Sequence, residues 1–148
     1  MKPFLCVLAA LFAGLCLSSP TLAAVKIKTV VDKSEQHMYV YDAKGHLLYS
    51  WCASTGKVSS YSRVGTFRPW KFREGKHYSG SYGGSMIDAV YYDGNRAIHG
   101  VDEKANIDAL CKFGTSYGCV HISPENAKTY YSLVRPLKPS EVQIIIQQ

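Results

Sequence analysis

Ser116-Tyr117-Gly118-Cys119 holds the side chain best suited to nucleophilic chemistry in this chain. A thiol attacks well only as a thiolate, and with an ordinary pKa of about 8.5 it needs a base or a positive field at neutral pH. The Gly before Cys119 lets the backbone turn sharply and approach a ligand closely. Backbone N–H groups in such a turn can face an oxyanion. Two histidines are candidate bases. His99 ends an expected strand at Gly100, which predicts a position at an edge rather than inside a sheet. His121 lies two residues beyond the thiol, and residues two apart on a strand face the same side. The residues alone leave both open, beside the alternative that Cys119 is a structural thiol on a strand before a helix.

The elements that must position these groups are mostly strands. Val25–Val31 is β-branched with interleaved Lys, and Gln36–Tyr41 alternates polar and apolar. Asp42-Ala43-Lys44-Gly45 has turn chemistry, and His46–Cys52 returns as the second arm of a hairpin. Ser54–Ser62 reads as a polar loop, and Val64–Phe72 as one strand interrupted at Pro69. Glu74–Ser85 holds four glycines and three serines around Tyr78 and Tyr82, which predicts a flexible loop able to hold a ligand. Met86–Tyr92 is a strand, Asp93-Gly94 signals a two-residue hairpin, and the return strand runs through Arg96-Ala97-Ile98. Asp102 is the expected cap of a short helix over Glu103–Cys111, with Ile107, Leu110 and Cys111 on one face. The clearest helix follows Cys119: Ser123 as N-cap, Pro124 at the first position, Glu125 in the first turn, and an apolar face of Ala127, Tyr130, Tyr131 and Val134. Pro136 stops it, and Val142–Ile146 closes the chain as a strand. These elements predict one β-rich α+β domain with a single main C-terminal helix.

Composition narrows the function. The 148 residues are 47% hydrophobic and 19% charged, which excludes intrinsic disorder and fits one domain. Met1–Ala23 has a Lys near the start, an apolar run from Phe4 to Leu17, and Thr21-Leu22-Ala23 as small residues before a cut. That pattern predicts a secretory signal peptide removed after Ala23, or after Ala24. The run is too short for a spanning helix, so no membrane anchor is expected after cleavage. Cys16 follows Leu15, where a lipoprotein signal has a small residue. Losing the leader removes Lys2 and lowers the formal charge from +6 to +5 over residues 24–148. The cations are scattered without a stripe, which disfavours nucleic acid and suits a carboxylate-rich substrate. No phosphate-cradling loop, G-x-S-x-G elbow or H-E-x-x-H pair is present, and no His lies at zinc-ligand spacing from a Cys, so no metal or cofactor is expected. The leader also takes Cys6 and Cys16 and leaves three cysteines, an odd number that hints at a thiol kept free.

His99-Gly100 followed by Ser116-x-Gly118-Cys119 resembles the YkuD-type L,D-transpeptidase catalytic domain. Ser54-Thr55-Gly56-Lys57, Gly65-Thr66-Phe67, Met86 and Ser123-Pro124-Glu125-Asn126-Ala127 also stand where that family has such residues. The resemblance covers nearly all of residues 24–148 and implies mixed β-sheets and an exported monomeric enzyme of the periplasm or cell wall. Its implied substrates are peptidoglycan stem peptides. It implies that Cys119 attacks the carbonyl between the L-centre of diaminopimelate and a terminal D-alanine, with His99 as base and the Gly100 carbonyl orienting it. A thioester forms, D-alanine leaves, and the side-chain amine of a second diaminopimelate completes a 3-3 cross-link. Ser116, Tyr117, Gly118, His121, Tyr82 and Met86 are the implied substrate contacts, with a flap over Tyr78–Gly84.

This chain departs from the family pattern at Tyr117, where the family has His, and at His121, where it has Arg. A phenol donates a hydrogen bond without becoming cationic, and a His with a pKa of about 6.5 replaces a permanent charge with a mostly neutral ring. Water in place of the amine makes the same site an L,D-carboxypeptidase or endopeptidase; loss of activity makes it a wall-binding module. The common wall-cleaving cysteine peptidases carry Cys before His, the reverse of the order here. With Cys119 reduced for attack, Cys52 and Cys111 remain as the pair able to form a disulfide, tying the early sheet to the loop ahead of the nucleophile.

Overall fold

The computed structural model describes residues 24–58, 61–80 and 84–148. The expected leader and Tyr82 lie outside the described residues. Among the described residues nine strands and two α-helices follow in the order β1 (Ile27–Asp32), β2 (His37–Asp42), β3 (Leu47–Cys52), β4 (Gly65–Phe67), β5 (Lys71–Tyr78), β6 (Ser85–Asp93), β7 (Arg96–Gly100), α1 (Lys104–Ala109), β8 (Val120–Ile122), α2 (Pro124–Val134) and β9 (Val142–Gln147). They form two mixed sheets, ordered β3-β2-β1-β9-β4 and β5-β6-β7-β8. Two pairings are parallel, β1 with β9 and β7 with β8; the others are antiparallel. The architecture is the β-rich α+β arrangement with one main helix.

Alternation drives the first sheet: Ile27, Thr29 and Val31 of β1 are buried, as are Met38 and Val40 of β2. Ile27, Val31, Met38 and Val40 join Ile144 and Ile146 of β9, Val90 and Ile98 of the second sheet, and Tyr130 and Val134 of α2 in one core. Tyr130 also shares a buried 2.9 Å hydrogen bond with Thr29, which ties α2 to the first sheet. The start of α2 follows its sequence signals: the Ser123 hydroxyl accepts from the Asn126 N–H, and Pro124 occupies the first position.

Five expectations change. Val64–Phe72 is not one strand, because the chain crosses at Pro69 from β4 in the first sheet to β5 in the second. The expected Glu74–Ser85 loop is shorter: a bulge absorbs Glu74 and Gly75, the Gly75 N–H bonds to the Asp88 carboxylate, and β5 continues to Tyr78 against Ser85. The β6–β7 turn centres on Gly94-Asn95, since Asp93 pairs with Arg96. Asp102 does not cap α1; it accepts from Ser85 Oγ and from Lys76 Nζ at 2.6 Å, and the capping position falls to Glu103 without a side-chain bond. In α1 the buried residue is Ala109, while Ile107 is exposed, because so short a helix presents only one corner to the core. No helix among the described residues is long and apolar enough to cross a membrane.

Gly100 sets how closely α2 packs on the second sheet. A Cβ there would lie 3.0 Å from both Ala127 Cβ and Pro124 Cα, and 3.2 Å from Ile87 Cβ. Gly100→Ala is expected to destabilise the fold by about 1–3 kcal/mol, as overpacking of a tight core does; urea unfolding measures it, and an unchanged midpoint would contradict the packing argument.

Candidate active site

The parallel ladder pairs Ile98 with Val120, His99 with His121, and Gly100 with Ile122. Side chains alternate along each strand, so Ile98, Val120 and Ile122 enter the core while Ala97, His99, Cys119 and His121 share the opposite face. That face floors a cleft of about 490 Å³ that also includes Met86, Tyr91, Arg96 and Tyr117 in its lining. The fold thus collects Cys119, His99, His121, Ser116, Tyr117 and Met86 in one cavity. His99 does not lie at a sheet edge: β7 is interior, between β6 and β8, and His99 is 3% exposed.

The tautomers of both histidines follow from their partners. His99 Nδ1 lies 2.9 Å from the Gly100 carbonyl, which can only accept, so Nδ1 carries the proton and Nε2 the lone pair. Ser54 Oγ gives its proton to the Phe113 carbonyl, so Thr115 Oγ1 must donate across the 3.1 Å contact with Ser54 Oγ. The Thr115 hydroxyl has then no proton left for His121 Nδ1 at 3.2 Å, and that nitrogen must be the donor. Both rings are held by Nδ1–H and keep a basic Nε2. They stand edge to face with centroids 4.9 Å apart.

Burial dominates the protonation states. It lowers His99 to about 4, opposed by the hydrogen bond to Gly100. It lowers His121 to about 3, aided by the neighbouring His99. The half-buried Cys119 thiol is pushed above its ordinary value by desolvation, while the Ala97 N–H and the Arg96 charge pull it down. A thiol raised and imidazoles lowered together favour a neutral resting pair over a thiolate and imidazolium.

The turn before Cys119 is self-contained. Ser116 Oγ accepts from the Gly118 N–H at 2.9 Å and donates to the Cys119 carbonyl at 2.7 Å, so Ser116 and Gly118 spend these groups on shaping the turn. The Gly118 N–H is therefore not free for an oxyanion. Gly118 has φ +130, and a Cβ there would come 2.6 Å from the Tyr61 carbonyl oxygen, so no side chain fits. Tyr117 stands half exposed at the mouth, stacked on Tyr61 at 5.9 Å with Lys57 Nζ 3.8 Å from its ring centre. A hydrogen bond from Lys57 and its charge hold the phenol below its ordinary value.

The loop carrying Cys119 is stitched to residues 53–57. Cys111 N–H bonds to the Ala53 carbonyl, Ser116 N–H to Thr55, and Lys57 N–H to Ser116. Cys52 and Cys111 are joined by a disulfide, their Cα atoms 4.7 Å apart, at the outer end of this seam. His37 Nδ1 lies 3.4 Å from Cys111 Sγ. Those three side chains cluster tightly, but sulfurs bonded to each other are not thiolate ligands. Sequence reasoning gave Thr115 and Arg96 no role in the cleft and named Ser54 only within the Ser54-Thr55-Gly56-Lys57 block. Thr115 adjoins the motif and carried a faint signal; the contacts of Ser54 with Phe113 and Thr115 appear only in the fold.

A family model for the L,D-transpeptidase catalytic domain (YkuD) matches residues 27–144. The chain belongs to this family. No curated protein matches it. An L,D-transpeptidase from Mycobacterium smegmatis has a TM-score of 0.70 at 23% identity, covering 83% of this chain and 59% of that one. One from Mycobacterium tuberculosis H37Rv has a TM-score of 0.68 at 20% identity, covering 83% and 58%. L,D-transpeptidase 3 from Mycobacterium tuberculosis, solved with a faropenem-derived adduct, has a TM-score of 0.66 at 19% identity, covering 83% and 60%. At these identities the likeness is one of fold, and this chain spans about three fifths of those structures.

Two measurements check the site. Both imidazoles are harder to protonate folded than unfolded, so the unfolded chain takes up protons first as pH falls. Stability is expected to be full above about pH 6.5 and to drain from there towards the folded values of about 4 and about 3, by up to about 1.4 kcal/mol per pH unit for each ring. Urea melts between pH 7.5 and 4.5 should show this slope, and His99→Gln with His121→Gln should flatten it. Cys52→Ser with Cys111→Ser opens a loop of sequence separation 59 and should cost at most about 4 kcal/mol by the chain-entropy relation, read by the same melts.

Proposed function

We propose that this chain is an exported L,D-transpeptidase that joins peptidoglycan stem peptides through a Cys119 thioester, with Met1–Ala23 as its leader. The observation that carries the reading is the convergence of Cys119 and His99 on one sheet face within one cleft, with the His99 ring held by the Gly100 carbonyl. His99 keeps a lone pair on Nε2, the arrangement a general base needs.

The neutral resting pair implies that deprotonation accompanies attack. Cys119 Sγ bonds to the carbonyl carbon between diaminopimelate and D-alanine as its proton passes to His99 Nε2. The tetrahedral centre collapses, the C–N bond breaks, and His99 returns the proton to the leaving D-alanine amine. A diaminopimelate side-chain amine from a second stem then attacks the thioester. Its proton returns through His99 to the sulfur, leaving a 3-3 cross-link and a free thiol. Arg96 and the Ala97 N–H lower the cost of charge on sulfur along this path. No step needs a metal or cofactor.

One observation favours hydrolysis as a second reading. His121 adds another neutral imidazole with a basic Nε2, able to take a proton from water.

Disaccharide-tetrapeptide incubated with the protein and analysed by mass spectrometry decides between them. A dimer lacking one D-alanine is the expected product; tripeptide with free D-alanine and no dimer would replace transfer by hydrolysis, and no product would leave wall binding. Cys119→Ala should abolish turnover, and full activity in it would overturn the site. His99→Ala should lower kcat about 10²–10⁴-fold, well beyond the effect of His121→Ala.

A further inference from the structure

The far wall of the cleft carries two cations for which the proposed chemistry has no use. Lys71 pairs with Tyr91 across β5–β6, and Tyr91 pairs with Ala97 across β6–β7. Extending the β7–β8 register places Cys119 beside Ala97. Lys71, Tyr91, Ala97 and Cys119 therefore form one row across four strands on the same face. Three strand spacings set Lys71 about 14 Å from Cys119 at the backbone. Arg73 follows two residues along β5, on that same face, and both cations line the cleft.

Their charges are not spent elsewhere. Lys26, Arg63, Lys76, Arg96 and Lys104 each bond a carboxylate, with Asp93 taking both Arg63 and Arg96. Among the described residues no carboxylate pairs with Lys71 or Arg73. Lys71 Nζ lies 4.9 Å from the Tyr91 ring centre, and Arg73 sits against the Tyr91 hydroxyl. The one acidic residue in the described lining, Glu103, is engaged by the Ser85 N–H and Asn106. Burial holds His77 below its ordinary value, and the positive potential of Arg73 and Lys71 adds to that shift. His121, beside the thiol, is neutral, so the permanent charge free to meet a ligand lies at this far wall.

We propose that Lys71 and Arg73 form an anion subsite that binds a peptide carboxylate within the two residues upstream of the one whose carbonyl is attacked by Cys119. Extended peptide rises about 3.3 Å per residue, so two residues cover about 7 Å of the sheet face, and the long Lys71 and Arg73 side chains reach across part of the rest. Arg73 offers a forked donor set matched to a carboxylate, and Lys71 adds a point charge beside it. This subsite rests on the acyl-transfer reading for its orientation, while its existence rests on the cleft alone.

The test uses paired peptides, identical except that the carboxylates upstream of the scissile bond are free in one and carboxamides in the other. The unmodified protein should show a KM at least about tenfold lower for the carboxylate peptide. Lys71→Gln with Arg73→Gln should erase that difference with kcat within about twofold, and Lys71→Arg should retain it. An equal loss on both peptides, or an unchanged KM on the carboxylate peptide, overturns the subsite. Calorimetric binding of the same peptides separates the two ideas. A carboxylate preference without turnover keeps the subsite and sinks the reaction, whereas turnover without preference does the reverse. Alkylation of Cys119 by neutral iodoacetamide at an unchanged rate confirms that the variant cleft is intact.

Discussion

The parallel pairing of β7 with β8 is the constraint on which the rest of the molecule depends. It brings a His and a Cys twenty residues apart onto one face of one sheet, in a register that sets His99 against His121. A parallel pair cannot be closed by a tight turn, so the chain must leave β7, cross, and return. The crossing holds α1 and the loop to Cys119, and its path is not left loose. Hydrogen bonds to residues 53–57 and the Cys52–Cys111 disulfide stitch it down along its length. Behind the sheet, α2 rests on Gly100 and hydrogen-bonds the first sheet through Tyr130, so β7 and β8 are held from the back as well.

The same burial that orders these strands sets their chemistry. An imidazole shut away from water resists protonation, and a thiol shut away resists ionisation. A cleft built this way holds both imidazoles and the thiol neutral at rest. The fixed Nδ1–H donors sharpen this further, because each ring can offer only Nε2 to the cleft. Charge is thus concentrated at the walls: Arg96 near the sulfur, and Lys71 with Arg73 across the sheet.

Local signals in the sequence were strong where local physics decides. The α2 cap at Ser123, the Pro124 start and the buried face from Ala127 to Val134 all stand as the pattern predicts. The period-two runs located the strands, and the Ser116-x-Gly118-Cys119 and His99-Gly100 pairs lie on stretches that the fold brings to one cleft. Local signals failed where a tertiary contact overrode them. Pro69 marked a break but not a change of sheet. Glu74–Gly75 looked like loop but is a bulge, because Asp88 accepts the Gly75 N–H and lets the strand resume. Asp102 looked like a cap but is taken by Lys76 and Ser85.

What the sequence by itself determined is the inventory: which side chains can react, which segments are strands, and where the main helix begins, since each rests on neighbours a few residues apart. Only the tertiary structure decided which imidazole faces which partner, that Ser116 serves its own turn, and that Lys71 and Arg73 share a cleft with Cys119. Those facts depend on strand order and register, and a one-residue slip would send every one of these side chains to the opposite face.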